Sequence, residues 1–259
     1  MKNSQKLNKH ISYSEFKIWS ECGWRHKLAY LDKISSFSGN EYTAFGTAIH
    51  ETCEKVLFGF DATSPKEYFS SALDKELSSL EEGYDTKFAE EMRGQGTQLL
   101  PHVRTEIDKY FGDYEVIATE EMLYEDMILH NIKFKGYIDM VLKTKDGKYH
   151  IIDWKTCSWG WNFKKKTNPL INYQLTLYKK FFAEKHGIDP KNIETYFVLL
   201  KRTAKKDNVE VLRITSGQKK TSNALKLLEN FIYNVKNSRP FKNRLSCRYC
   251  DFYKTEHCR

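Results

Sequence analysis

Two hydrophobic periods divide this chain. Up to about residue 111 the apolar positions suit helices. In ISYSEFKIWSECGWRHKLAYL, residues 11–31, Phe16, Trp19 and Leu28 can face inward, and Ser12 and Glu15 have the spacing of a capping box. A second helix is expected from Gly46 to Phe60. A third opens at Ser64-Pro65-Lys66-Glu67, with Pro65 at its first position. Residues 88–111 carry an apolar stripe of Leu99, Val103 and Ile107, interrupted or preceded by Pro101.

The period then changes to strict alternation. VIATEEMLYE, NIKFKGYIDMVLKT and YHIIDWKT read as successive strands, the last two joined by the turn Lys145-Asp146-Gly147-Lys148. Asn168-Pro169 opens a helix over LINYQLTLYKKFFAEKHG. ETYFVLLKR and VEVLRITS read as two more strands, and a helix follows from about Ser222 to Asn237. Within the second strand, alternation puts Phe134, Gly136, Ile138, Met140 and Leu142 on one face. Asp139 falls on the other, with Tyr137 and Val141. The expected architecture is a single α/β domain over 1–259 with a mixed central sheet flanked by helices. Its helical part is 12–111, its α/β core 112–215, and its C-terminal helix and cysteine-rich tail 216–259.

Composition narrows the classes. Hydrophobic residues make up 40% and charged residues 29%, with 13 Gly and 5 Pro, which excludes a disordered or collagen-like chain. Lys plus Arg outnumber Asp plus Glu by 42 to 34, a net +8 that favours a polyanionic partner. No apolar leader opens MKNSQKLNKH and no run is long enough to span a bilayer, so a cytoplasmic protein with no membrane partner is expected. In that reducing setting, six cysteines point to metal or catalysis before disulfides.

Asp139 is a carboxylate in a strongly apolar strand and needs a compensating partner. Asp153 and Lys155, at i and i+2, project from one face of the next strand. Two carboxylates can hold a hard divalent cation, which polarises a phosphoryl oxygen and activates water. A lysine beside them can position that water and offset transition-state charge. Taken alone, Asp-x-Lys is also an ordinary strand-end ion pair. His50 can complete a metal site or simply pack within its helix. Gln174 and Tyr178, one helical turn apart, can orient Lys155 or meet a phosphate.

Together these residues resemble the RecB-like branch of the PD-(D/E)XK nuclease superfamily. The carriers are G-T-A-I-H-E at 46–51, G-Y-I-D at 136–139, D-W-K at 153–155 and Q-L-T-L-Y at 174–178. The resemblance implies a restriction-endonuclease-like core. It further implies Mg²⁺ or Mn²⁺ on His50, Asp139, Asp153 and the carbonyl of Trp154. Lys155 would be catalytic, with Gln174 and Tyr178 in support. Glu120 and Glu121 are candidates for added negative charge, without a secure position.

Cys247, Cys250 and Cys258 form C-x₂-C-x₇-C and leave one soft ligand to be found. Cys22 is the candidate, with His257 as a substitute. The pattern resembles CRISPR-associated exonucleases and AddB-type nucleases, which implies a [4Fe–4S] cluster joining the chain ends; zinc is the alternative. Cys53 and Cys157 read as packing residues. After the D-W-K strand, Trp159, Trp161 and Phe163 interleave with Lys164, Lys165 and Lys166. This is a candidate loop for stacking unpaired bases and neutralising phosphates, or else a core closure with solvated lysines. The resulting expectation is a metal-dependent DNA exonuclease acting on single-stranded ends in recombination, repair or phage DNA metabolism. A recombination, replication or CRISPR-adaptation protein would be its partner. The alternatives are a CRISPR-adaptation nuclease and a non-catalytic DNA-binding or scaffold protein.

Overall fold

The computed structural model describes residues 9–34, 39–59, 64–127 and 131–259. In chain order the elements are β1 (His10–Ser12), α1 (Tyr13–Glu21), α2 (Gly23–His26), α3 (Glu41–Phe58), α4 (Pro65–Ser78) and α5 (Thr86–Phe111). There follow β2 (Tyr114–Met127), β3 (Ile132–Thr144), β4 (Tyr149–Cys157), α6 (Phe163–Lys166), α7 (Pro169–His186), β5 (Ile193–Lys201), β6 (Val209–Ile214) and α8 (Gln218–Lys236). Among the described residues, no helix is long and apolar enough to cross a membrane.

The strands form one mixed sheet in the order β1-β3-β4-β5-β6, with β2 also on β3. β1 on β3 and β4 on β5 are parallel pairs, and the others are antiparallel. Helices cover both faces. One core joins α1, α7 and α8 to the sheet through Phe16, Ile138, Phe181 and Phe231. The other joins α3, α4 and α5 through Phe45, Leu73, Val103 and Trp154.

Local signals explain most boundaries. Ser12 caps α1 by accepting from the Glu15 amide. Ser64 and Glu67 form a reciprocal capping box on α4, with Pro65 at the start. A similar box between Asn40 and Thr43 starts α3 five residues before the expected Gly46; the expected end, Phe60, lies outside the described residues. α5 runs unbroken through Pro101.

Three expectations are corrected. Residues 11–31 are not one helix: Ile11 and Ser12 lie in β1, and the chain breaks at Cys22, which is extended (φ −162°, ψ 112°). The cause lies in the C-terminal tail. A Cβ on Gly23 would stand 2.8 Å from the Phe241 ring, and Phe241 O accepts the Trp24 amide at 2.8 Å. The tail thus caps the restarted helix where a continuous one would have used its own carbonyl. The alternation along β3 also slips. Phe134, Ile138 and Val141 enter one core, whereas Met140 and Leu142 enter the other. The slip lies opposite Glu120 of β2, whose backbone is left-handed (φ 48°). Finally, α8 begins at Gln218, four residues before Ser222.

Candidate active site at the strand fork

β3 pairs with β2 along its whole length. Its other edge meets β1 over Lys133–Lys135 and β4 over Met140–Lys143. Met140 and Ile152 are the last partners before β3 and β4 diverge, and Asp139 and Asp153 are the next residue on each strand. Diverging strands therefore hold two carboxylates at a fork. Asp139 Oδ2 accepts the backbone N–H of Trp154 at 2.7 Å, which ties one strand to the other.

The remaining groups converge from both helical layers. Lys155 Nζ lies 2.5 Å from Asp153 Oδ2, and Gln174 of α7 donates to Asp153 Oδ1 at 2.6 Å. Gln174 also donates to the Tyr178 hydroxyl at 3.3 Å. Tyr178 lies flat against β3 because residue 136 is glycine: a Cβ there would stand 2.7 Å from its ring. From α3, His50 Nδ1 is 4.0 Å from Asp139 Oδ2. Trp154 is wholly buried, and its ring enters the core beneath α3.

Burial raises the pKa of Asp139 well above the usual carboxylate range, with Asp153 adding repulsion. Asp153 is also raised by burial, against the opposing pull of Lys155. Burial, and then Lys155, push His50 down to about 3, so its imidazole is neutral at physiological pH. His50 Nε2 is buried without a hydrogen-bond partner, and Asp153 Oδ2 is buried with the Lys155 ammonium against it. Two enclosed carboxylates and the neutral imidazole of His50, with its unpartnered Nε2, fit a hard divalent cation. Among the described residues, no three His, Cys, Asp or Glu side chains already converge tightly enough to hold one.

Other acidic groups surround the fork. Glu120 falls opposite Asp139 in the β2–β3 register, and burial followed by Asp153 raises its pKa. Glu54, one turn beyond His50, is raised to about 8 by burial, then Glu120 and Glu51. Glu54 escaped the motif reading, although its i+4 spacing from His50 marks it as a same-face neighbour. Tyr13, also missed, is buried and close enough to Asp153 that the carboxylate raises its hydroxyl pKa further. Glu121 points elsewhere, to Lys185 at 2.6 Å and His186 at 2.9 Å.

The aromatic–lysine loop is only partly open. Trp159 and Phe163 are 77% and 80% exposed, but Trp161 is buried against Phe197, 5.1 Å between centroids. Trp161 therefore closes the core and offers no free face to a base. Lys165 lies 4.6 Å from the Trp161 ring centre, and Lys166 is paired with Glu210.

At the far side of α1, Cys22, Cys247, Cys250 and Cys258 line one cavity of about 300 Å³, with Trp24 and Phe252. The chain ends are stitched around it. Asn243 and Ser246 each donate to Glu21 O at 2.9 Å, and Trp24 Nε1 donates to His257 O at 3.1 Å. The His257 ring is not part of the lining, and Cys53 and Cys157 lie away from it.

A mixed sheet carrying paired carboxylates and a lysine at a strand fork defines a phosphodiesterase-type nuclease core. The sequence matches the PD-(D/E)XK nuclease superfamily over residues 10–255, and the chain belongs to that superfamily. A crystal structure of a proposed exonuclease from Eubacterium rectale superimposes with a TM-score of 0.60 at 16% identity. The match covers 98% of this chain and 91% of that one, and at this identity it shows the fold alone. A structure of the protein SSO0001 aligns at TM-score 0.44 and 15% identity, over 95% of this chain and 85% of its own. No curated protein matches the sequence significantly.

Proposed function

We propose that this nuclease is a Mg²⁺- or Mn²⁺-dependent deoxyribonuclease acting on single-stranded ends, in recombination, repair or phage DNA metabolism. The observation that carries the reading is the fork itself, with Asp139 and Asp153 side by side and Lys155 against Asp153. Asp139, Asp153, His50 and the Trp154 carbonyl would hold the cation. When bound, it supplies positive charge at a phosphoryl oxygen and lowers the pKa of water.

The chain's own groups do the rest. Lys155 directs its ammonium at the charge that builds on the phosphoryl oxygens. Gln174 holds Asp153 through Oδ1, and Tyr178 fixes Gln174 in turn. Hydrolysis forms a bond from water oxygen to phosphorus and breaks the bond to the leaving sugar oxygen, which takes up a proton. Labelled single-stranded DNA incubated with Mg²⁺, Mn²⁺ or EDTA tests the reading: cleavage is expected with metal alone. Intact DNA under every condition, with folded protein, favours a binding-only role. End-labelled and circular substrates separate exonuclease from endonuclease.

For the cysteines, we infer one [4Fe–4S] cluster on Cys22, Cys247, Cys250 and Cys258. Support comes from the shared cavity, which brings ligands from both chain ends together. Zinc on the same four thiolates is the alternative. Its role is structural, as a clamp between α1 and the tail.

A further inference from the structure

β2 and β3 extend beyond β4, with only the three-residue β1 on the other edge of β3, where His10 meets the Tyr124 ring edge-on at 5.9 Å. One face packs on α7 through Leu123, Phe134 and Ile138. The opposite face is open. From two residues short of the fork outward, β3 presents Tyr137, Lys135 and Lys133 at every second position, and β2 presents Met122 and Tyr124 beside them. Met122, Tyr124 and Tyr137 are 48%, 37% and 42% exposed. A soluble sheet face would ordinarily carry polar residues at these positions.

The spacing of the exposed groups identifies what they suit. Lys135 Nζ lies 5.6 Å from the Tyr137 ring centre, and Lys133 Nζ 5.2 Å from that of Tyr124. Each tyrosine thus carries an ammonium over its ring, a cation–π contact that leaves the charge within reach of a phosphate. Lys133 also pairs with Asp126 at 3.0 Å, but Asp126 is 79% exposed. Such a pair is weak and readily exchanged for phosphate. Asp139 to Lys133 spans six residues, roughly 20 Å of strand, which is room for several nucleotides.

We propose that this face is the track for a single-stranded DNA running to the carboxylate fork, its bases stacking on Tyr137 and Tyr124 and its phosphates meeting Lys135 and Lys133. Two features select this occupant: the lysines complement a polyanion, and the face begins two residues along β3 from Asp139. Aromatic rings accept any base and the lysines read no sequence, so binding along the track is sequence-tolerant. The inference rests on the nuclease reading above.

The test measures fluorescence anisotropy of a fluorescein-labelled thymidine oligomer in EDTA. Tyr124→Ala with Tyr137→Ala should weaken binding about five- to a hundredfold for each base that loses its platform. Lys133→Ala with Lys135→Ala should flatten the dependence of log K on log salt by about 1.4. All four side chains face outward, so thermal melting should be unchanged. An oligomer carrying 5-iodouracil should photocrosslink to the peptide holding Tyr137 or Tyr124. Wild-type affinity and slope in both variants would overturn the track, as would crosslinks confined to the Trp159 loop. A dimer that the tyrosine variant dissociates, with DNA affinity intact, would assign the face to a second copy of the chain. Absence of metal-dependent cleavage by the wild type would overturn the nuclease reading itself. Cleavage by the wild type with unaltered variant affinity would sink the track alone.

Discussion

Asp139→Asn should make the metal-free protein more stable while removing its nuclease activity. Asp139 is enclosed beside Asp153 and accepts the Trp154 N–H. An asparagine oxygen can still accept that bond, so the substitution removes chiefly the charge. With the carboxylates at least roughly 5 Å apart, the spacing of paired antiparallel positions from which the strands here diverge, an effective dielectric of about 20 gives a repulsion of at most ~3 kcal/mol. Lys155 lies against Asp153 and offsets part of this, leaving a gain of ~1–2 kcal/mol, usual for neutralising a strained functional site. The sign with pH follows from the raised pKa of Asp139. The folded wild type holds its proton where the unfolded chain has lost it, so its disadvantage grows as pH rises above the ordinary carboxylate range. Below that range both forms are protonated and the gap closes. Urea denaturation in EDTA between pH 4 and 8.5 measures this directly. Adding Mn²⁺ at about a hundred times its Kd should then stabilise the wild type by ~2.7 kcal/mol and leave the variant nearly unmoved. An Asn variant less stable than wild type at pH 8 in EDTA, or equal stabilisation of both by metal, would refute the shared cation site.

Gly136→Ala should cost ~1–3 kcal/mol, because its methyl meets the Tyr178 ring at 2.7 Å. Single-turnover cleavage should slow about ten- to a hundredfold as the Tyr178–Gln174–Asp153 chain shifts; wild-type denaturation and rate would contradict this. Glu54 has its pKa raised from 4.5 to about 8. Its ionisation therefore costs nothing below the ordinary value and progressively more as pH rises to the folded value. Glu54→Gln should gain on the wild type across that window, by ~1–3 kcal/mol at its upper end in EDTA, and a pH-independent difference would exclude this origin. Anaerobically purified protein should be brown, with about four irons and four sulfides per chain. Cys22→Ser should lose colour and melt lower, whereas a colourless folded protein with one zinc would replace the cluster by an ion.

Much of the fold is legible because local signals and tertiary structure agree. The Ser12, Ser64 and Asn168 caps and the switch of hydrophobic period all fall at element boundaries. Of the candidate site residues, Asp139 stands out because a carboxylate breaks the pattern of an apolar strand. What escapes the sequence depends on partners far along the chain. The break at Cys22 is made by Phe241, more than two hundred residues away. The slip after Ile138 lies opposite the left-handed Glu120 of another strand. Trp159 and Trp161 are alike in composition, yet only the arrival of Phe197 buries the second. The open face of Tyr137 and Tyr124 is also invisible to periodicity, which reports alternation but not which side a helix covers.

Lys155 and the carboxylates of the fork are proposed to carry phosphodiester hydrolysis. The most direct test is single-turnover cleavage of end-labelled single-stranded DNA with Mn²⁺ by the wild type and by Lys155→Ala, with affinity measured separately in EDTA. The ammonium is 2.5 Å from Asp153, and in the proposed role it meets charge that develops only in the transition state. The variant should therefore bind DNA within a fewfold of wild type and cleave it slower by about two to three orders of magnitude. Wild-type cleavage by the variant once DNA is saturating would reduce Lys155 to a binding residue, and no metal-dependent product from the folded wild type would contradict the account as a whole.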